Sequence, residues 1–124
     1  MAVRNGRVQH SGSWLYVWID VDTGEVAYVG GTGVDPELRA YLHVTSEDPE
    51  IGRVRATVPG YDERDFDVLA FELADDVHRP AAKRALTACL TDRGATSELR
   101  EVIDPIVQAV FAHRASAGRE SASS

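Results

Sequence analysis

Hydrophobic residues are densest near the N-terminus, in a segment that is apolar at nearly every position. This segment, residues 14–20 (Trp-Leu-Tyr-Val-Trp-Ile-Asp), is rich in aromatic and β-branched side chains and predicts a strand buried on both faces. A turn signal at residues 22–24 (Asp-Thr-Gly) follows, and residues 25–29 return as a second strand. The pattern therefore predicts a β-hairpin.

Glycines follow the second strand, and the pattern then changes to helical spacing. Residues 30–33 (Gly-Gly-Thr-Gly) predict a tight turn between strand and helix. Asp35 is placed to cap a helix over residues 36–42, where apolar positions recur three and four residues apart. Residues 45–64 contain several prolines and glycines and predict a loop, within which residues 51–58 are expected to form a short irregular strand.

The second half of the chain predicts a third strand followed by helices. Residues 67–73 have the composition of a strand. Residues 80–90 predict a helix with one apolar face, and Gly94 is expected to end it. Ser97 is placed to cap a short helix over residues 98–103.

The C-terminal part completes the predicted domain. Asp104 and Pro105 repeat the pattern of a cap followed by proline and predict the start of a last helix. We expect a single domain over residues 1–115 and a disordered tail over residues 116–124, which are rich in serine and alanine. The order of elements predicts an α+β fold with a small mixed β-sheet of about three strands flanked by helices.

Charge limits the classes of partner. Of 124 residues, 20 are acidic and 13 are basic, which gives a formal net charge of −7. The summed field repels phosphate, so attraction of the whole molecule to nucleic acid or to an anionic membrane is excluded. A phosphate site would have to be a local basic cleft on an acidic body.

Cysteine and histidine usage excludes other kinds of site. The single cysteine, Cys89, rules out an intramolecular disulfide and a multi-cysteine zinc site, and we expect it to be a small buried hydrophobe. His10, His78 and His113 show no ligand spacing, so no zinc site is expected.

The sequence gives no sign of a membrane segment. Residues 1–13 are polar and lack the apolar region of a signal peptide. No apolar run approaches the roughly 20 residues that span a bilayer. We therefore expect a cytoplasmic protein that does not interact with membranes.

Two tyrosines, an arginine and a histidine form the candidate for chemistry. Tyr16 and Tyr28 lie on the paired strands, and Arg39 and His43 share one stripe of the helix that follows the glycines. The hairpin is expected to bring the phenols together, with Arg39 above the same sheet edge. A tyrosine acts as a general base if nearby positive charge lowers its pKa of ~10, and arginine binds phosphate oxygens in a bidentate way. The group predicts a phosphodiester site.

Each of these residues also has a plainer interpretation. Taken singly, Tyr16 and Tyr28 are more simply explained as aromatic strand residues that pack in a core. Arg39 and His43 would otherwise form a solvated helix face, with Glu37 nearby. A local basic cleft has six candidate cations, and the alternative for them is an ordinary mixed surface; they are Arg53, Arg55, Arg64, Arg79, Lys83 and Arg84.

The motifs around these residues resemble the GIY-YIG nuclease domain. Residues 14–16 (Trp-Leu-Tyr) and 28–30 (Tyr-Val-Gly) are similar to its two strand motifs, and Arg39 and His43 fall where members carry helical arginine and histidine. The resemblance is best over residues 13–43 and weaker through the third strand and the following helix.

The resemblance implies a function and roles for these residues. It implies a DNA endonuclease in which Tyr16 activates water with help from Tyr28, and Mg²⁺ or Mn²⁺ stabilises the leaving oxygen. Arg39 would hold the scissile phosphate. Gly30 and Lys83 are expected to join Arg39 in phosphate binding, and His43 to belong to the catalytic group.

Two departures from the family pattern change what is expected. Trp14 replaces the leading glycine of the first motif. The helix that should carry a metal-binding glutamate has Lys83 and Arg84 there instead, and a cation repels Mg²⁺. The metal ligands are therefore unidentified. Glu72 is a candidate for a displaced ligand, although a solvated strand end is the simpler interpretation.

Two functions remain open from the sequence. One is a divalent-metal-dependent DNA endonuclease whose activity the missing glutamate puts in question. The other is a catalytically inactive module that binds nucleic acid or a protein partner on the same scaffold.

Overall fold

A three-stranded antiparallel sheet lies between two layers of helices. The structure is a computed structural model, and it describes residues 3–8, 12–33, 35–92 and 99–123. Its strands and helices are β1 (Val3–Arg4), β2 (Arg7–Val8), β3 (Ser13–Asp20), β4 (Val26–Thr32), α1 (Pro36–Thr45), α2 (Arg53–Thr57), β5 (Phe66–Leu73), α3 (Arg79–Thr91) and α4 (Arg100–Ser123). The predicted α+β class is confirmed.

The central strand β3 sets the directions of its two neighbours in the sheet. The sheet order is β4-β3-β5, and β3 pairs antiparallel with both neighbours. Helices α1 and α2 carry the chain from β4 to β5, which run in the same direction but are separated by β3. Every hydrogen-bonded pair of described strands is antiparallel, and the prediction of a mixed sheet is wrong.

β3 divides the hydrophobic core into two clusters. Residues 15–20 are all buried, which confirms the predicted strand with two buried faces. Leu15, Val17 and Ile19 pack with α3 and α4 on one side of the sheet. Tyr16 and Trp18 point to the other side, where they pack with residues of α1 and α2. The alternation of side chains along one strand thus supplies both layers.

Pairing with β3 extends β4 through the glycines. Tyr16 lies opposite Gly30 and Trp14 lies opposite Thr32. The predicted turn at residues 30–33 is therefore wrong over most of its length, because strand pairing overrides the tendency of glycine to form turns.

Residues 51–58 contain a helix where an irregular strand was predicted, so this prediction is also wrong. Helix α2 buries Val54 within it and Val58 just beyond its end. These two positions are four residues apart and lie on one helix face, whereas a strand would alternate with a period of two. The spacing of these valines was the signal for a helix.

One helix replaces the two predicted at the C-terminal end. The backbone N–H groups of Val102 and Ile103 both donate to the carbonyl of Leu99, so α4 begins before Pro105 and contains it. Proline removes only one hydrogen bond near the start of this helix. The predicted caps Gly94 and Ser97 lie outside the described residues.

Other local predictions hold. Asp35 caps α1 by accepting from the backbone N–H groups of Glu37 and Leu38 at 2.9 and 3.2 Å. The third strand and the helix after it are present as β5 and α3, and Cys89 is buried on α3. Helix α4 continues to Ser123, through the segment expected to be a tail; the domain boundary at residue 115 stays a prediction.

Gly30 should be much less tolerant of a side chain than its neighbour. A Cβ added at Gly30 would lie 2.4 Å from the Tyr16 hydroxyl oxygen, whereas one at Gly31 would meet the flexible Arg79 side chain at 3.0 Å. We expect Gly30→Ala to lower the free energy of unfolding by about 3 kcal/mol and Gly31→Ala by about 1 kcal/mol or less. Urea denaturation checks both; equal losses would contradict the close packing of Tyr16 on Gly30.

Candidate functional site

The register of β3 and β4 brings the two predicted tyrosines together. Tyr28 lies opposite Trp18, two pairs along from Tyr16 and Gly30 and therefore on the same face. The rings of Tyr16 and Tyr28 stack with centroids 6.4 Å apart and an angle of 24° between planes. The absence of a side chain at Gly30 makes room for the Tyr16 ring. A phosphate contact by Gly30 stays a prediction.

His43 joins helix α1 to the tyrosines. Its imidazole is fully buried, and Nε2 is hydrogen-bonded to the Tyr16 hydroxyl at 2.5 Å. The ring also packs edge-on against Tyr28 and Trp18, with centroids 5.0 and 5.7 Å apart. The alternative of a solvated helix face is therefore wrong for His43. Trp18 was missed as a neighbour, although it follows Tyr16 by two residues and so shares its face of the strand.

Burial keeps both hydrogen-bonded groups neutral. It lowers the pKa of His43 to about 3, and positive charges add to the effect. Burial raises the pKa of Tyr16 to about 12, while the nearby Arg39 charge acts in the opposite direction. The two pKa values lie on opposite sides of neutrality, so proton transfer from Tyr16 to His43 is unfavourable and the pair carries no net charge at pH 7.

Three cations from three helices act on His43. Arg39 of α1, Arg53 of α2 and Lys83 of α3 all lower its pKa through their charge. Arg39 Nη1 donates to the Ile51 carbonyl at 2.6 Å, which directs its guanidinium across the α1–α2 connection. All three side chains are half-buried, so each retains contact with solvent. We call Arg39, Arg53 and Lys83 the cation group.

None of the cation group forms an ion pair with a carboxylate of the described residues. Arginines elsewhere do so: Arg64 binds Asp20 at 2.8 Å. Arg53 Nη1 instead donates to the Pro49 carbonyl at 3.3 Å. The charges of the cation group are therefore not paired with a carboxylate among the described residues; the predicted basic cleft stays a prediction.

The structure brings only part of the predicted basic cleft to the site. Arg53 and Lys83 belong to it, whereas Arg64 is held at the end of β3 by Asp20. The others have separate positions: Arg79 lies over Gly31 and donates to Ser13, Arg55 donates to the Thr45 carbonyl, and Arg84 is exposed on α3.

The residues around Tyr16 do not fit Mg²⁺ or Mn²⁺. These ions prefer oxygen ligands, chiefly carboxylates, whereas the site offers phenols, an imidazole and cations. The register places Glu72 on the Tyr16 face of β5, opposite Trp14, but a single exposed carboxylate does not make a site. Within residues 3–8, 12–33, 35–92 and 99–123, no three His, Cys, Asp or Glu residues cluster.

Comparison of the chain with protein-family models, curated proteins and solved structures gave no match. The resemblance to GIY-YIG domains therefore stays a hypothesis that rests on the motifs. In the described part of the chain, no helix is long and apolar enough to cross a membrane.

Acid should destabilise the protein through His43. Its folded pKa of about 3 lies below the ordinary value of 6.5, so the unfolded chain binds the extra proton as pH falls below 6.5. We expect the free energy of unfolding to be about 2 kcal/mol lower at pH 5 than at pH 7 from this group alone.

Urea denaturation of variants at the two pH values tests this. At pH 7, His43→Gln should have a lower free energy of unfolding than the wild type. Between pH 7 and pH 5, however, its free energy of unfolding should not show the fall attributed to His43. His113→Gln is the control, because the imidazole of His113 lies 2.8 Å from an Asp67 oxygen and is half-buried. An unchanged acid loss in His43→Gln would contradict a buried neutral histidine.

Proposed function

We propose that this protein is a nucleic-acid-binding module whose cation group binds a backbone phosphate without a metal ion. The observation that carries the proposal is that Arg39, Arg53 and Lys83 all act through their charge on the buried His43, with no carboxylate of the described residues paired to them. A phosphate group would complete this arrangement with charge-assisted hydrogen bonds.

The charge distribution supports an anion as the ligand. The chain is acidic overall, so three cations without a carboxylate partner among the described residues oppose the general field of the molecule. Guanidinium groups bind phosphate oxygens in a fixed fork, and an ammonium group adds a point charge. Arg39 has one Nη1 bond to the Ile51 carbonyl, which holds the guanidinium in place for a ligand.

Proton chemistry argues for binding over cleavage. A general base has to take a proton near neutral pH, but the pKa of Tyr16 is raised to about 12 and that of His43 is lowered to about 3. Neither group is then a good base by itself. The Tyr16–His43 pair is instead a buried, neutral neighbour of the cation group.

Loss of a cation should weaken binding of nucleic acid. We expect Arg39→Gln or Lys83→Gln to reduce affinity for labelled single-stranded or duplex DNA about ten-fold at low salt, the loss of one charged contact. Fluorescence anisotropy in the presence of a chelator measures this and excludes a requirement for metal. Arg100→Gln is the matched control, since Arg100 is exposed on α4 and pairs with Asp104.

Two outcomes would overturn the proposal. One is no binding by the wild-type chain at low salt, after which a protein partner becomes the leading alternative. The other is an equal loss in Arg100→Gln, which would show only the effect of net charge.

A divalent-metal-dependent DNA endonuclease is the second candidate, implied by the resemblance. Arg39 lies close enough to the Tyr16 phenol for its charge to oppose the rise in the pKa of the phenol, and this proximity favours an enzyme. We expect incubation with branched and single-stranded DNA in Mg²⁺ or Mn²⁺ to give no cleavage by the wild type. Cleavage that is abolished by Tyr16→Phe and by Arg39→Ala, with both variants folded, would establish the enzyme.

A further inference from the structure

A groove leads away from the cation group along the outer side of β4. It consists of two adjoining cavities of about 570 and 550 Å³, which share Leu90, Thr91 and Arg114 as walls. The first cavity includes Tyr28 and Lys83, so the groove opens from the candidate site itself. β4 is an edge strand of the sheet, and its backbone forms one wall.

Helix α3 provides a regular opposite wall. Lys83, Thr87 and Thr91 are spaced by four residues and lie on one face of the helix. The eight residues from Lys83 to Thr91 span about 12 Å along the helix axis. The threonine hydroxyls donate back to the carbonyls of Lys83 and Thr87, both at 2.9 Å, so these short side chains stay against the helix.

A second cation, Arg114, lies on the wall that the two cavities share. The Arg114 guanidinium is positioned over the Phe111 ring, 5.7 Å from its centroid, and is half-buried. Like Lys83, Arg114 makes no ion pair with the carboxylates of the described residues. Glu25 is the acidic residue among those that line the groove. Thr91 and Arg114 line both cavities, so Lys83 and Arg114 stand beside the two ends of the α3 wall that runs about 12 Å from Lys83 to Thr91.

We propose that this groove binds a single strand of nucleic acid, with one phosphate at Lys83 and a later one at Arg114. The inference rests on the proposed function and adds the length and form of the ligand. One phosphate recurs every ~3.4 Å along a stacked strand, so about 12 Å corresponds to three to four nucleotides. The groove is walled by β4 on one side and by α3 and α4 on the other, and this arrangement suits a single strand of nucleic acid.

Charge complementarity selects a polyanion, and regular spacing selects a nucleic acid over an acidic peptide. A peptide strand paired with the β4 edge would place side chains alternately toward and away from α3, so only every second carboxylate would face Lys83 or Arg114. A nucleic-acid strand presents a phosphate at every step.

The length dependence of binding tests the proposal. Fluorescence anisotropy with labelled oligothymidylates of one to about eight nucleotides should show affinity rising until the strand reaches Arg114, at about three to four nucleotides. Arg114→Gln should remove most of that gain, about five- to ten-fold, and leave mononucleotide binding unchanged. Its salt dependence should lose about 0.7 in slope, the contribution of one phosphate.

Two further variants separate the groove from general charge effects. Glu25→Gln should strengthen binding of the longer strands, a gain that misfolding cannot produce. Arg100→Gln, with the same change in net charge as Arg114→Gln, should leave both affinity and slope unchanged. Circular dichroism confirms that each variant is folded.

The outcomes distinguish failure of the groove from failure of the phosphate site. Wild-type binding that is independent of length, or an Arg114→Gln loss that is equal for mononucleotide and long strands, overturns the groove and leaves the proposed function standing. Tighter, Arg114-dependent binding of oligoglutamate than of oligothymidylate would make the occupant a peptide. Absence of any nucleotide binding by the wild type at low salt overturns both.

Discussion

The hydrogen bond between the Tyr16 hydroxyl and His43 Nε2 is the interaction on which the rest of the site depends. It joins the central strand to α1 inside a closed aromatic cluster, and it is short at 2.5 Å. With His43 anchored, Arg39 lies one turn earlier on the same helix face, beside the Tyr16 phenol. The same packing requires glycine at position 30, because the phenol occupies the space of a side chain.

The buried Tyr16–His43 pair adds no charge to that of the cations around it. Both groups keep their neutral forms at physiological pH, since burial moves the pKa of each away from 7. Arg39, Arg53 and Lys83 each add positive charge near His43, and the neutral pair itself does not titrate near neutral pH.

The sequence was informative where one strand or one helix decided the outcome. The β3–β4 hairpin followed from the density of aromatic and β-branched residues, and the meeting of Tyr16 with Tyr28 followed from its turn. Burial of His43 did not follow, because helical spacing tells which residues share a face but not what covers it. The position of Lys83 depended on how α3 crosses the sheet, a long-range arrangement that local pattern does not contain.

β3 is shared by both layers of the fold, and the candidate site is divided between them. Arg39 and Arg53 come from the α1–α2 layer, and Lys83 comes from α3 on the other side of the sheet. A partly folded chain with one layer docked would therefore lack an intact anion site. A bound ligand acts only on the completed fold and stabilises it by mass action, so occupancy would make the assembly of the two layers more cooperative.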